Sequence, residues 1–169
     1  ANDPEEGELP DTALTWEVRQ HHAEHFHPFV DEITGNNIPV PPAPEPEDLL
    51  AATNSFLEVV LTATDSNGLS TTVSRIIQPE TVNLTFESVP SGLGLTLDGT
   101  TVTTPATVVT WMDHPLAAEA ADQVDSSGTL WKWESWSDGG DQTHVISVGG
   151  DATYSVNFVQ GVSDTLTFS

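Results

Sequence analysis

Between residues 82 and 159 the chain is cut into seven short apolar runs, at 82–86, 93–97, 101–105, 106–111, 130–136, 144–148 and 153–159. Runs this short at near-regular spacing, parted by turn residues, are what a two-layered β fold requires and leave little room for an α-helix. The first part of the chain adds strand candidates at 14–19, 25–30, 56–64 and 70–77. The clearest passage begins at Phe56, where Leu57, Val59, Val60 and Leu61 lead into an Asp65-Ser66-Asn67-Gly68 turn and Leu69 opens the returning strand. Residues 38–48 hold Pro39, Pro41, Pro42, Pro44 and Pro46, a density that forbids a ladder and predicts an exposed polyproline-like loop. Residues 113–125, rich in alanine and acid, predict one short helix or an irregular excursion. Twenty-two threonines favour strands with a hydroxyl-bearing surface.

The two ends make better sense joined than apart. Leu166 and Phe168 alternate with Thr165, Thr167 and Ser169, the period of a half-buried strand, and Val162 precedes them. Asn2-Asp3-Pro4-Glu5-Glu6-Gly7 then supplies turn chemistry, and residues 13–18 start the next strand. The tail therefore reads as the missing first strand of the head. It is either one period of a head-to-tail array or a strand donated to a neighbouring copy. The start at Ala1, with no Met or leader, fits a processed product or a segment of something longer.

Charge narrows the partners. Twenty-six acidic residues face only Arg19, Arg75 and Lys132, for a formal charge of −23. Such a surface repels phosphate backbones and anionic lipid, which argues against nucleic acid and membrane surfaces. It attracts divalent cations, or needs salt to screen its self-repulsion over about 10 Å or less. The absence of cysteine rules out disulfides and thiolate metal sites. No apolar run reaches the roughly 20 residues of a membrane helix, so membrane insertion by a helix is not expected.

The first 79 residues, with the Asp3-Pro4 turn, the Leu14-Thr15-Trp16 strand and the hairpin through Asp65 and Gly68, resemble a PKD-type immunoglobulin-like domain. The passage from Trp16 through His21, His22, His25 and His27 to Phe29 resembles more narrowly the module attached to secreted bacterial sugar dehydrogenases. Such domains carry two strands before the Asp-Pro turn, and this sequence has none there. Residues 80–160 resemble PEGA-like bacterial surface repeats through Pro90-Ser91-Gly92, Leu97-Asp98-Gly99 and Trp136-Ser137-Asp138-Gly139-Gly140. The resemblances imply an all-β chain of two small immunoglobulin-like β-sandwich domains in tandem, 1–79 and 80–160. A segment at 161–169 would link to, or complete, the first domain of a neighbouring unit.

The densest cluster of chemistry-bearing residues is His21, His22, Glu24, His25 and His27. On a strand His25 and His27 share a face and His21 has the same parity, which predicts a three-imidazole site for Zn²⁺ or Cu²⁺; a bulge at Ala23 would reverse the parity and leave His22 or Glu24 as the third ligand instead. Asp3, Glu5 and Glu6 at one turn and Asp65 at another offer hard oxygens to Ca²⁺. Trp131, Trp133 and Trp136 with Trp111 suggest either aromatic core or a platform for a polysaccharide. Asn83-Leu84-Thr85 is an N-glycosylation sequon. No nucleophile elbow, phosphate loop or dinucleotide fingerprint is present, so no catalytic residue is assigned. The sequence thus predicts a non-catalytic extracellular or cell-surface structural subunit that joins copies of itself head to tail. The alternative is a carbohydrate- or surface-binding appendage of a secreted oxidoreductase.

Overall fold

The computed structural model describes residues 1–162 and is all-β. In chain order the strands are β1 (Asn2–Asp3), β2 (Gly7–Glu8), β3 (Leu14–His22), β4 (His25–Thr34), β5 (Phe56–Thr64), β6 (Ser70–Ile77), β7 (Thr81–Val89) and β8 (Gly94–Leu97). They continue with β9 (Thr100–Thr103), β10 (Ala106–Trp111), β11 (Pro115–Glu119), β12 (Gln123–Val124), β13 (Leu130–Trp136), β14 (Thr143–Ser147) and β15 (Ala152–Gln160). Two compact units result. One comprises Ala1–Pro46 with Asn54–Pro79, the other Glu47–Thr53 with the described residues from Glu80.

The second unit has two sheets around one core, as in a β-sandwich. Their strand orders are β10-β7-β15-β13-β12 and β14-β11-β8-β9. Period-two alternation builds that core: Val82, Leu84 and Phe86 on β7 face inward with Leu95 and Leu97 on β8 and Val156 and Phe158 on β15. Each fully buried side chain of this size contributes on the order of 1.5–3 kcal/mol. Residues 113–125 form no helix, and strands alternate there with irregular stretches. They hold β11 and β12, and Leu116, Ala118 and Ala120 are buried in alternation. The small alanines hid a strand period behind a helix-like composition.

The first unit differs. Its main sheet has four antiparallel strands in the order β4-β3-β5-β6, and β1 pairs with β2 as a small separate hairpin. The second sheet that a sandwich needs is not among the described residues. Among the described residues the buried apolar side chains here are Leu14, Val18 and Val30 on one face and Val60 on the other, whereas the other unit buries a cluster of fifteen. A core this small is marginal for a unit of this length. Residues 38–46 form no strand, as their prolines require.

Candidate functional site

The sheet of the first unit has two chemically distinct faces. The β3–β5 register sets Leu14 opposite Ala63, Trp16 opposite Leu61 and Val18 opposite Val59. On β6, Val73, paired with Leu61, and Ile77, paired with Leu57, extend this face, with Arg75 between them opposite Val59. The reverse face carries Thr15, Glu17, Arg19 and His21 beside Glu58 and Thr62. Cover over the apolar face is partial. Ala1 and Leu9 line one groove of about 370 Å³ over Leu61 and Val73, and Ile38 and Val40 line another of about 340 Å³ over Trp16 and Val59. Val73 remains 57 % exposed and Ile77 53 %. Those values mark an apolar surface that lacks a partner among the described residues.

The two edges of this sheet are not alike. β4 carries Pro28 and two register irregularities against β3, features that discourage a further strand from pairing there. β6 is exposed along its whole length, regular in its pairing with β5, and contains one charge, Arg75, and no proline. β6 is the edge open to strand addition.

At the far end of β3 stands the histidine hairpin. Ala23 and Glu24 join β3 to β4, and Ala23 sits at φ 48, a left-handed conformation that costs a residue with a Cβ about 1–2 kcal/mol. The turn brings His22 directly opposite His25, and His27 lies two positions further along the same face. Ring centroids are 4.1 Å apart for His22 and His25, 5.1 Å for His22 and His27, and 5.0 Å for His25 and His27. The Nε2 atoms of His22 and His27 are 3.1 Å apart, and one ligand atom from each of the three residues lies within 4.8 Å of the others. These three imidazoles are close enough together to hold a metal ion.

This set replaces the expected His21, His25 and His27. Across a two-residue turn, residue i pairs with i+3, so an even-numbered residue faces an odd-numbered one and the single-strand parity reverses. His21 lies on the reverse face, stacked on Phe56 at 4.7 Å, with its Nε2 2.9 Å from a Glu58 oxygen. A hydrogen bond from Ser74, followed by the contact with His21, holds the Glu58 carboxyl below its usual range. The sequence showed a break between the strands at 14–19 and 25–30 but not its length, because Ala23-Glu24 contains none of the usual turn residues; the two-residue turn decides the parity in favour of His22.

The acidic turns serve the backbone. Asp3 Oδ1 accepts the N–H groups of Glu5 and Glu6, and Asp65 Oδ1 accepts those of Asn67 and Leu69. Glu6 accepts hydrogen bonds from the Ser66 hydroxyl and N–H, which ties the two turns together. The four acidic positions named for Ca²⁺ are therefore neighbours at one end of the unit, with Asp3, Glu6 and Asp65 already accepting hydrogen bonds; Glu5 is exposed.

In the second unit the tryptophans lean toward the core. Trp136 is buried, while Trp131 and Trp133 pack against the core with their faces partly covered. A bulge between Trp133 and Ser135 sets Trp136 beyond the simple alternation. Trp131 Nε1 donates to Asp125 and Trp111 Nε1 to the Ala52 carbonyl. Asn83 is exposed on β7. The Asp-Gly motifs also have local roles: Asp98, at φ 45, accepts the Ala117 N–H and lies 2.9 Å from buried His114. Val162 is exposed, and Leu166 and Phe168 lie outside the described residues.

Comparison with known proteins adds no relative. No family model, no curated protein and no solved structure matches this chain. The likeness to PKD-type and PEGA-like modules therefore rests on the motifs alone.

Proposed function

We propose that this chain is a non-catalytic structural subunit of an extracellular or cell-surface fibre, joined head to tail by β-strand complementation. One observation carries the reading: the first unit presents a four-stranded sheet whose β6 edge has no further strand beside it among the described residues and whose apolar face is only partly covered. An incoming strand along β6 would satisfy a whole row of backbone groups at once, and alternate apolar side chains would extend the cover over Leu61, Val73 and Ile77. In sequence, Val162, Leu166 and Phe168 supply that alternation. A contact between a tail and the head of another copy is heterologous, and it yields filaments whenever its rotation does not close into a ring. The immunoglobulin-like kinship and extracellular location belong to the same proposal, as does the exclusion of nucleic acid and lipid by the charge of −23.

A designed cross-link tests it, because the chain has no cysteine of its own. The double variant Val73→Cys with Phe168→Cys, oxidised in the assembled state, should give a ladder of disulfide-linked multimers on a denaturing gel. Removal of 161–169 should leave soluble units that form no filaments in electron micrographs and whose first unit melts earlier. Cross-links confined to single chains, or normal filaments from the truncated protein, would sink the proposal. The polysaccharide-binding alternative draws less support, since Trp131 and Trp133 pack against the core and Trp136 is buried.

A further inference from the structure

We infer that His22, His25 and His27 form a three-imidazole binding site for one borderline divalent cation, Zn²⁺ or Cu²⁺, with an outward position left for water or an external ligand. The site is independent of the assembly reading. Its frame is the regular end of the β3–β4 ladder, where Gln20 pairs with His27, His21 with Phe26 and His22 with His25. Backbone pairing, not loop flexibility, therefore sets the spacing of the three rings. Two nitrogens bound to one ion at about 2.0–2.1 Å lie roughly 2.9 Å apart at a right angle and about 3.4 Å apart in a tetrahedron. The 3.1 Å between His22 and His27 falls inside that window. The third imidazole lies within 4.8 Å, so a small ring rotation brings it to the same ion.

The chemistry of the surroundings selects the ion. Imidazole suits Zn²⁺ and Cu²⁺, whereas Ca²⁺ and Mg²⁺ take oxygen ligands. A chain with 26 acidic residues and three Lys or Arg draws cations toward its surface at any pH near neutrality. His25 and His27 are exposed and His22 half-buried, which gives the ion an entry path and keeps one side of it open. Bound there, the ion would clamp β3 to β4 next to the strained Ala23 turn. It would hold the tip of the first unit rather than act on a substrate.

The test uses the full chain, stripped with chelator and titrated with Zn²⁺ against a coloured competitor. One equivalent should bind saturably, and millimolar Ca²⁺ should not displace it. Loss of even an outer-shell partner typically costs 10–100-fold in affinity. His22→Gln, His25→Gln and His27→Gln should thus each weaken binding by at least about tenfold. His21→Gln, which alters the neighbouring ring on the opposite face, should leave binding within about twofold. Bound Cu²⁺ should show nitrogen hyperfine structure in its paramagnetic resonance spectrum, lost in the triple variant. Circular dichroism of His25→Gln, altered at an exposed position, separates loss of a ligand from loss of fold. Absence of stoichiometric binding, displacement by Ca²⁺, or equal losses for His21→Gln and His22→Gln would overturn the inference.

Discussion

Asp125 organises its turn through a single carboxylate. It accepts hydrogen bonds from the Ser127 hydroxyl and N–H, the Thr129 N–H and Trp131 Nε1, and these hold its carboxyl well below the usual range, the Ser127 hydroxyl first among them. A depressed carboxyl contributes stability above its unfolded pKa and loses it as pH falls through the folded one. Acidification below about pH 4 should therefore cost the wild type a stabilisation that Asp125→Asn never had. Thermal melts of both proteins at neutral and acid pH should converge; a constant gap would refute the assignment. Gly140 is a second instance. A Cβ there would lie 2.4 Å from the His144 ring, which rests 5.2 Å from Trp136. Gly140→Ala should destabilise the second unit by about 1–3 kcal/mol, read from denaturant midpoints. The Trp136–Gly140 motif was visible in sequence, but its reason, a histidine packed on a glycine, required the fold.

Among elements, the β3–β4 hairpin is the one whose parity the sequence left open. Strand positions around it were legible, while the reversal at Ala23 was decided by a conformation its side chain disfavours. Ala23→Gly should relieve that strain at some cost in unfolded-chain entropy, a net stabilisation of about 0.5–1 kcal/mol. If it destabilises, the hairpin geometry is wrong. β6 is the other revealing element. The turn at 65–68 in the sequence announced it as a returning strand, yet only the sheet order β4-β3-β5-β6 makes it an edge. A charge on an edge strand blocks pairing with other chains. Val73→Lys, at a position already 57 % exposed, should leave the monomer's melting temperature nearly unchanged while abolishing multimers in sedimentation. Multimers that persist would move the joint elsewhere.

At the scale of the whole molecule, charge opposes association. Copies bearing a formal charge of −23 repel one another once they approach within a Debye length, so assembly should weaken in low salt with chelator. The Asp3 and Asp65 turns, tied by Glu6 and Ser66, concentrate acid at one end of the first unit. If Ca²⁺ settles there, it should restore assembly, read by light scattering, at far lower concentration than Na⁺. Equal effects at matched ionic strength would leave those turns as solvated surface. The sequence by itself determined the β class, the Pro-rich gap and most strand positions. These follow from period and turn residues, which are local properties. Only the tertiary structure decided that His22 joins His25 and His27, that 113–125 holds two strands, and that one face of the first sheet stays only partly covered. The first turns on the backbone conformation at Ala23, the second on small alanines that suit helix and strand alike, and the third on which strands become neighbours in the sheet.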